Sequence, residues 1–267
     1  MSIRYSAVVP VTANTIDFLT KKFSEVRVRN RGLTNEDRSK ITALYVTEHK
    51  TTRALAQDFC VSPSTISEVI SVGTILLAEY EPTQLLTNPE PEPAFADASL
   101  RTRLANAGYV IIDGTFIPAQ NAYLPGYFNY KHKQCGLVTL TVTAPDGVPI
   151  WFSPPRPGSV HDLTLLKDSG LLAVLEELGL GAVADKGFTG LDTDTHLLPV
   201  KKPKGKKVTA SMKEFNYWVT RLRIPVETVF ARLKTFRSMK LCRRRIRNIG
   251  YTIQAALTIH ALDGRTW

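Results

Sequence analysis

A proline-rich, acidic stretch divides this chain, and it limits the fold more than any other feature of the sequence. Four of the residues 81–100 are proline, and acids lie between them. Proline has no backbone N–H and disturbs the preceding helical turn, so the stretch predicts a linker. Helical periodicity precedes it and strand patterns follow it. We therefore expect an all-α domain at residues 1–80, a linker at 81–100 and a second domain at 101–267.

The first domain has the signals of three consecutive helices. Thr34 is placed to cap a helix that ends near His49, and a second short helix fits residues 52–59. Ser62 and Pro63 are residue types preferred at the start of a third helix. The apolar residues 66, 69 and 70 of that helix fall on one face.

Two helices joined by a tight turn have the layout of a helix-turn-helix motif, whose second helix enters the major groove of DNA. The first residues of that helix contact base edges, and the candidates here are Ser62, Ser64, Thr65 and Glu68. The alternative is a small helical bundle that only packs or dimerises. The absence of arginine and lysine from the second helix supports this alternative, whereas the pattern favours DNA binding.

The second domain alternates between strand and helix patterns. Strands are predicted at residues 109–112, 137–142, 148–152 and 182–185, and helices at 163–178 and 212–236. A Pro-Asp-Gly turn joins the second and third strands into a hairpin. Pro225 must kink or restart the last helix. This order predicts an α/β or α+β core.

The positive charge is concentrated at the carboxyl end. The net charge is +10, but residues 199–267 hold 17 of the 34 lysines and arginines and three of the 24 acids. That segment therefore carries +14 and the rest of the chain −4. Such a segment attracts a polyanion, and nucleic acid is the commonest polyanion inside cells. Ribosomal association and an anionic membrane are the alternatives.

Three acids stand out from their surroundings. Asp113 and Asp185 each follow an apolar run, and Glu227 lies in a basic predicted helix. A carboxylate at the end of a buried strand is costly unless it is paired or binds a cation. If the three converge, they can share divalent ions such as Mg²⁺ or Mn²⁺. Two such ions can activate a water and stabilise the leaving oxygen of a phosphodiester.

The residues around Glu227 suit this chemistry. Arg223 and Lys234 fall on its helical face together with Phe230, so two cations able to hold phosphates flank the carboxylate. The alternative is structural: Asp113 and Asp185 would cap turns and Glu227 would pair with Arg223. The residues themselves leave both interpretations open.

Further candidates lie between these acids. Asp162 is expected to cap a helix rather than to ligate a metal, and His161 could orient a phosphate or a carboxylate. A basic loop is expected to contact the DNA backbone, although a nuclear import signal or a solvated charge run is an alternative. Its lysines are Lys201, Lys202, Lys204, Lys206 and Lys207.

Two classes of protein are not indicated. No apolar run approaches the roughly 18 residues that span a bilayer, and the amino terminus lacks the layout of a signal peptide. The three cysteines are too widely spaced for a zinc site or a disulfide framework. We therefore expect a soluble protein without membrane association, cytoplasmic and nucleoid-associated in a bacterium or nuclear in a eukaryote.

Four ordered motifs cover the second domain. They are Asp113-Gly114-Thr115, the segment from Gly158 to Asp162, the segment from Ala184 to Phe188, and Arg223, Glu227 and Lys234 with Thr220 before them. Together they resemble the DDE-type transposases of bacterial insertion sequences, the insertion-sequence-five group, and their eukaryotic Harbinger-like relatives. In the last motif Thr220 stands where that family usually has tyrosine.

This resemblance implies a ribonuclease H-like core in which Asp113, Asp185 and Glu227 hold Mg²⁺ or Mn²⁺. It also implies action on double-stranded DNA, at terminal inverted repeats and at a target, by a homo-oligomer. The leading hypothesis is therefore a transposase that cleaves transposon ends and joins the 3′-hydroxyl to target DNA. The alternatives are a catalytically silent, domesticated DNA-binding protein and a host ribonuclease H-like nuclease.

Overall fold

The chain forms two compact units. The computed structural model describes residues 10–29, 32–80, 98–120, 125–202, 205 and 207–265, so residues 81–97 of the expected linker lie outside it. The first unit, called the helical unit, comprises residues 1–84, 118–122 and 232–266. The second, called the sheet unit, comprises residues 85–117, 123–231 and 267.

Both units are built from short regular elements. The helices are α1 Ala13–Glu25, α2 Asn35–Glu48, α3 Thr52–Asp58, α4 Pro63–Ala78, α5 Ala98–Asn106, α6 Asp162–Asp168, α7 Leu171–Glu177, α8 Ala210–Leu222, α9 Ile224–Leu233 and α10 Ile249–Leu262. The strands are β1 Tyr109–Pro118, β2 Phe128–Asn129, β3 Gln134–Thr143, β4 Pro149–Phe152, β5 Arg156–Pro157 and β6 Gly181–Val183. Short 3₁₀ helices cover Lys186–Phe188, Arg237–Met239 and Ile246–Asn248.

The three helices expected in the first domain are confirmed as α2, α3 and α4. The Thr34 hydroxyl accepts a hydrogen bond from Asp37 N, and the Asp37 carboxylate accepts one from Thr34 N at 2.9 Å. Ser62 caps α4 through Thr65 N, and Pro63 is the first residue of that helix. These caps satisfy amide groups that would otherwise lack a partner, which fixes where each helix begins.

The turn between α3 and α4 sets their directions about 105° apart. Leu55, Ile66 and Ile70 are fully buried, so each helix turns its apolar face into a common core. Among the described helices, none is long and apolar enough by itself to cross a membrane. The bent pair α3 and α4 would qualify on length and composition alone.

The last helix belongs to the helical unit, which differs from the expected division of the chain. Ten of its 14 residues are buried. It packs against α4, where Thr258 Oγ1 donates to Leu77 O at 2.9 Å, and in the same unit Ser238 Oγ donates to Val46 O at 2.7 Å. A helix that is apolar on most sides needs neighbours on most sides. The helices α2 and α4 provide them.

His49 makes the stability of the helical unit depend on pH. It ends α2 with φ 56°, and its Nε2 is buried without a hydrogen-bond partner among the described residues. Burial, and secondarily the charge of Arg243, lower the pKa of His49 from 6.5 to about 4. The unfolded chain therefore binds more protons than the folded chain between these two values. The free energy of unfolding should fall as the pH drops through that window.

His49→Asn should remove about 1–2 kcal/mol of this pH dependence, because asparagine tolerates positive φ and does not titrate. The partial exposure of His49 keeps the expected effect below that of a fully buried group. Urea unfolding at pH 7 and at pH 4.5 measures the difference. A variant with the wild-type pH slope would contradict this account.

The sheet unit has helices on both faces of a mixed sheet. The strand order is β2-β3-β1-β6, and β4 and β5 also pair with β3. The parallel partners are β1 and β6, while β3 and β4 form the expected antiparallel hairpin. Ile111 packs with residues of α8 and α9, whereas Val110 and Ile112 pack with residues of α5, α6 and α7. Alternate side chains of one strand thus reach opposite layers.

Several elements differ from their expected extent. The helix expected at 163–178 is two helices, α6 and α7, because Gly170 between them has φ 75°. The restart expected at Pro225 is confirmed, since α8 ends at Leu222 and α9 begins at Ile224, but α9 ends at Leu233 rather than near residue 236. The strand β1 continues five residues beyond Asp113, and α5 begins at Ala98, within the residues assigned to the linker.

A close contact between two glycines fixes the loop that leads to α6. Gly158 N donates to Gly136 O at 2.9 Å. A Cβ on Gly158 would lie 2.7 Å from Tyr127 O and 2.8 Å from Gly136 O. Both atoms belong to the backbone, so neither can move aside easily. Glycine at position 158 therefore lets the chain approach β3 and enter α6.

Gly158→Ala should destabilise the sheet unit by about 2–4 kcal/mol through this overlap. Gly170→Ala is the matched control: its Cβ would meet no atom within 4 Å, and its positive φ alone should cost about 1 kcal/mol. Thermal unfolding of both variants measures the difference. Equal losses would show that the contact with β3 is not what requires glycine.

Candidate active site

Two of the predicted site residues stand side by side at one end of the sheet. The parallel register pairs Tyr109 with Gly181 and Ile111 with Val183. Continued by two residues, the same register sets Asp113 beside Asp185. Asp185 lies two residues beyond β6, which ends at Val183 rather than at the expected residue 185, and Asp113 lies inside β1 rather than at its end. Although β1 continues beyond Asp113, its pairing with β6 stops at Ile111. Asp113 and Asp185 therefore each lie two residues past the last pair and remain adjacent.

A third acid, Asp162, completes the cluster. A Cβ on Gly114 would overlap the Asp162 carboxylate, and one on Gly187 would lie 2.8 Å from Asp185 Oδ1 and 3.8 Å from Asp162 Oδ2. The two glycines therefore leave the space that these carboxylates occupy. Asp162 was expected to cap α6, and this is wrong: the cap position is His161, and its side chain makes no capping hydrogen bond. His161 itself is exposed.

Burial and mutual repulsion make deprotonation of these carboxylic acids unfavourable. Burial raises the pKa of Asp113 to about 6, the repulsion from Asp185 adds to this effect, and Arg223 opposes it. Burial also raises the pKa of Asp162, again with a contribution from Asp185. Asp185 thus interacts with both neighbours. Such strained carboxylates are typical of functional sites, because a bound cation relieves the repulsion.

Arg223 connects Asp113 to Glu227. Its Nη2 donates to Asp113 Oδ2 at 2.5 Å, and its Nη1 lies 4.0 Å from Glu227 Oε1. The Arg223 and Asp113 side chains are 13% and 14% exposed, whereas that of Glu227 is 55% exposed. Glu227 is therefore an outer, solvated member of the site. Phe230 is buried in the core, so it does not share the exposed face of Glu227.

The structure also contains the hydrogen bonds of the alternative interpretation, in which Asp113 and Asp185 cap turns. Asp185 Oδ1 accepts a hydrogen bond from Gly187 N at 2.5 Å, and Asp113 Oδ1 accepts one from Gly114 N at 2.8 Å. In the described part of the chain, no three histidine, cysteine or acidic side chains are placed to ligate one metal ion. The donor set nevertheless suits a hard divalent cation, since it consists of carboxylate oxygens in a half-buried cluster whose members repel one another.

The start of the basic loop is hydrogen-bonded to α8. The Asn216 side chain accepts a hydrogen bond from Val200 N at 2.7 Å and donates one to Val200 O at 3.0 Å. The exposed Lys201 and Lys202 follow directly, and Lys207 is exposed as well. Lys204 and Lys206 lie outside the described residues. The loop therefore begins at a fixed point on α8, the helix that Arg223 follows.

The outer face of α8 carries aromatic side chains, which the sequence analysis did not single out. Tyr217 and Trp218 are 54% and 55% exposed, and the Arg221 guanidinium lies 5.6 Å and 5.8 Å from their ring centres. Val219 is the buried residue of this helix. Exposed aromatic rings beside cations are a feature of surfaces that bind nucleic acid.

The remaining predicted residues lie in the helical unit. Ser62 and Ser64 are exposed at the start of α4, with their hydroxyl oxygens 2.8 Å apart. Thr65 is 5% exposed, and its hydroxyl lies 2.9 Å from Ser62 Oγ. Lys234 follows the end of α9 and is half-buried. The two serines are therefore better placed than Thr65 to reach a ligand.

The same segment that forms the site matches a known family. The family model described as DDE superfamily endonuclease matches residues 104–261, which is more than half of the chain. The chain belongs to this family. DDE superfamily endonucleases use divalent metal ions, and the matched segment holds Asp113, Asp162, Asp185 and Glu227.

Two curated relatives of this DDE superfamily endonuclease are transposases by name. A probable transposase for insertion sequence element IS702 of Microchaete diplosiphon is 49% identical over 82 residues, which cover 30% of this chain and 28% of that protein. A putative transposase for insertion sequence element IS112 of Streptomyces albus G is 24% identical over 230 residues, 85% of this chain and 79% of that protein. No solved structure matches the chain.

Proposed function

We propose that this DDE superfamily endonuclease is a DNA transposase, which cleaves phosphodiester bonds at the ends of its element and joins the freed 3′-hydroxyl to target DNA. The observation that carries the proposal is the cluster of Asp113, Asp162 and Asp185, with Arg223 and Glu227 beside it. The transposase relatives and the family match support the choice of reaction.

Asp113, Asp185 and Glu227 would hold the divalent cation, Mg²⁺ or Mn²⁺, with Asp162 next to them. When bound, two such ions supply an activated water and stabilise the leaving oxygen of the phosphodiester. Asp113 must lose its proton before it can hold a cation. Because its pKa is raised to about 6, it is fully deprotonated only above that pH. Glu227 is solvated and lies on the first turn of α9, so its side chain has freedom to turn towards Asp113.

The Arg223 guanidinium can pair with either of two anions, the Asp113 carboxylate or a DNA phosphate. Without DNA its guanidinium neutralises the buried Asp113 carboxylate. A phosphate oxygen is an equivalent partner for a planar guanidinium, and a cation at Asp113 would free the arginine for it. We infer that Arg223 moves from the carboxylate to the scissile phosphate when the site is assembled.

Residues of both units contact the DNA. Lys201, Lys202 and Lys207 contact the phosphate backbone, as do Lys204, Lys206 and Lys234, and the exposed aromatic face of α8 offers rings on which unpaired bases stack. The helices α3 and α4 act as a helix-turn-helix that binds the terminal repeats through Ser62 and Ser64. Pairing two ends requires at least a dimer on DNA.

The sheet supports a ribonuclease H-like core. In it β3 and β1 are neighbours, β4 is antiparallel to β3, and β6 is parallel to β1. This order brings Asp113 and Asp185 to adjacent positions, as cation sharing requires. Helices on both faces then place α9, and with it Glu227, over one layer of the sheet.

The purified chain, a duplex that contains the element's ends, and Mg²⁺ test the proposal. We expect strand cleavage at the ends and, with target DNA present, joined products. Both should disappear when EDTA removes the metal and return when Mn²⁺ is added. Specific binding without cleavage would identify a silent DNA-binding protein. Cleavage without any joined product would identify a nuclease that only hydrolyses.

A further inference from the structure

A run of arginines near the carboxyl end has an unexpected position in the fold. Four of the five residues from Arg243 to Arg247 are arginine. Their exposure alternates, since Arg243, Arg245 and Arg247 are exposed while Arg244 is 8% exposed. Its sequence position assigns this run to the second domain expected at residues 101–267, whereas the structure includes it in the helical unit. We call the three exposed residues, Arg243, Arg245 and Arg247, the arginine strip.

The buried arginine fastens the strip to α4. Arg244 Nη2 donates to Ser71 Oγ, and its Nη1 lies 3.5 Å from Ser67 Oγ. Both serines belong to α4, one and two turns beyond its first residues. The side chain that points inward therefore holds its exposed neighbours beside the helix that the proposed function assigns to DNA.

Two backbone contacts fix the start of the strip. Cys242 N donates to Pro118 O at 2.7 Å, and Gln120 N donates to Cys242 O at 2.9 Å. Arg243 Nη1 donates to His49 O at 3.4 Å, at the end of α2. Arg243 of the strip thus contacts the end of α2, and its neighbours Arg244 and Cys242 are bonded to α4, to the last residue of β1 and to Gln120. Its cations have a defined location rather than lying on a free tail.

The helices α2, α3 and α4 do not carry the positive charge that binding to a polyanion requires. Residues 32–80 hold four lysines and arginines against six acids, so they carry −2. Two of these cations are paired with acids, Lys40 with Glu36 and Lys50 with Asp58. A duplex-binding helix needs cations on the flanking phosphates, because these contacts supply most of the affinity. The strip adds three positive charges beside α4.

We propose that Arg243, Arg245 and Arg247 form a phosphate-binding surface through which the helical unit holds duplex DNA next to α4. The inference rests on the proposed function, because it takes DNA to be the ligand. Its content is separate: the affinity of the amino-terminal helices for DNA is supplied by a segment that lies 173 residues beyond Ser71 of α4. Guanidinium groups suit this task, since each can donate two hydrogen bonds to one phosphate.

The test compares two full-chain variants from which the same charge is removed. One is R243Q/R245Q/R247Q, and the other is K21Q/R27Q/R29Q, whose exposed cations lie in or just after α1 of the same unit. Binding to the end-containing duplex is followed by fluorescence anisotropy at several salt concentrations, with EDTA present so that cleavage plays no part.

The strip variant should bind at least about 10-fold more weakly at 0.1 M salt. The slope of log affinity against log salt should fall by about 2–3, close to 0.9 for each lost phosphate contact. The control should lose less than about threefold. R245Q/R247Q keeps the Arg243 contact with His49 and should show an intermediate loss, and R243K/R245K/R247K should restore most of the slope.

The outcomes separate this inference from the proposed function. A strip variant that binds with the wild-type slope, or no more weakly than the control variant, overturns the inference alone. A wild-type chain that binds no duplex overturns both. Circular dichroism of the strip variant should match the wild type, because its three side chains are exposed; if that variant is unfolded, R245Q/R247Q decides the question.

Discussion

Asp185→Asn should lower metal-dependent cleavage of end-containing DNA by about 10³-fold or more, which corresponds to about 4 kcal/mol in the activation free energy. The substitution keeps the size of the side chain, and an asparagine Oδ1 can still accept the hydrogen bond from Gly187 N. The fold is therefore retained, while the negative charge that interacts with both Asp113 and Asp162 is removed. DNA affinity measured in EDTA should change little.

Asp194→Asn is the matched control, since Asp194 is an exposed aspartate in the loop that follows the same strand. It should cleave within about twofold of the wild type, because exposed surface substitutions have small effects. Gel analysis of cleaved and joined products gives the rates of all three proteins. If Asp185→Asn cleaves as fast as the control, the transposase chemistry proposed here is wrong.

Asp113→Asn should abolish cleavage and at the same time stabilise the protein at neutral pH. The pKa of Asp113 is raised from 3.8 to about 6, so between these values the folded chain holds a proton that the unfolded chain has lost. Stability therefore falls as the pH rises through this window, and above it the ionised, buried carboxylate is a cost. An uncharged asparagine removes that cost.

The gain should be about 1–3 kcal/mol at pH 7.5, since one pKa unit corresponds to about 1.4 kcal/mol and Arg223 loses its partner in the variant. It should shrink towards zero near pH 4, where Asp113 is protonated in the wild type. Thermal unfolding at both pH values measures this, with the exposed Glu176→Gln as the control. A variant less stable than the wild type at pH 7.5 would show that the Arg223 ion pair outweighs burial.

Local signals in the sequence were sufficient to predict the boundaries of elements that begin at a cap or end at a turn. Thr34, Ser62 and the hairpin turn before β4 each mark a boundary through their own hydrogen bonds or fixed φ. The position of α10 could not be obtained in this way, because its burial depends on surfaces of α2 and α4 that are far away along the chain. The same holds for Arg244, which takes its partners from α4.

The site was predictable in its acids and not in its arrangement. Apolar runs that end on Asp113 and Asp185 marked these acids as candidates but left open whether their strands are neighbours, and the β1–β6 register accounts for their proximity. Asp162 was assigned to a cap because sequence places it at a helix start, whereas its carboxylate lies in the space left by Gly114 and Gly187, close to that of Asp185. The Arg223–Asp113 ion pair depends on the break between α8 and α9, whose geometry a pattern does not specify.

Titration of the full chain with Mn²⁺, followed by electron paramagnetic resonance of the free ion, tests most directly whether distant acids serve one cation. The wild type should bind Mn²⁺ above pH 7, and Asp113→Asn, Asp185→Asn and Glu227→Gln should each weaken that binding by about 10-fold or more. Wild-type affinity in all three variants would contradict the shared site.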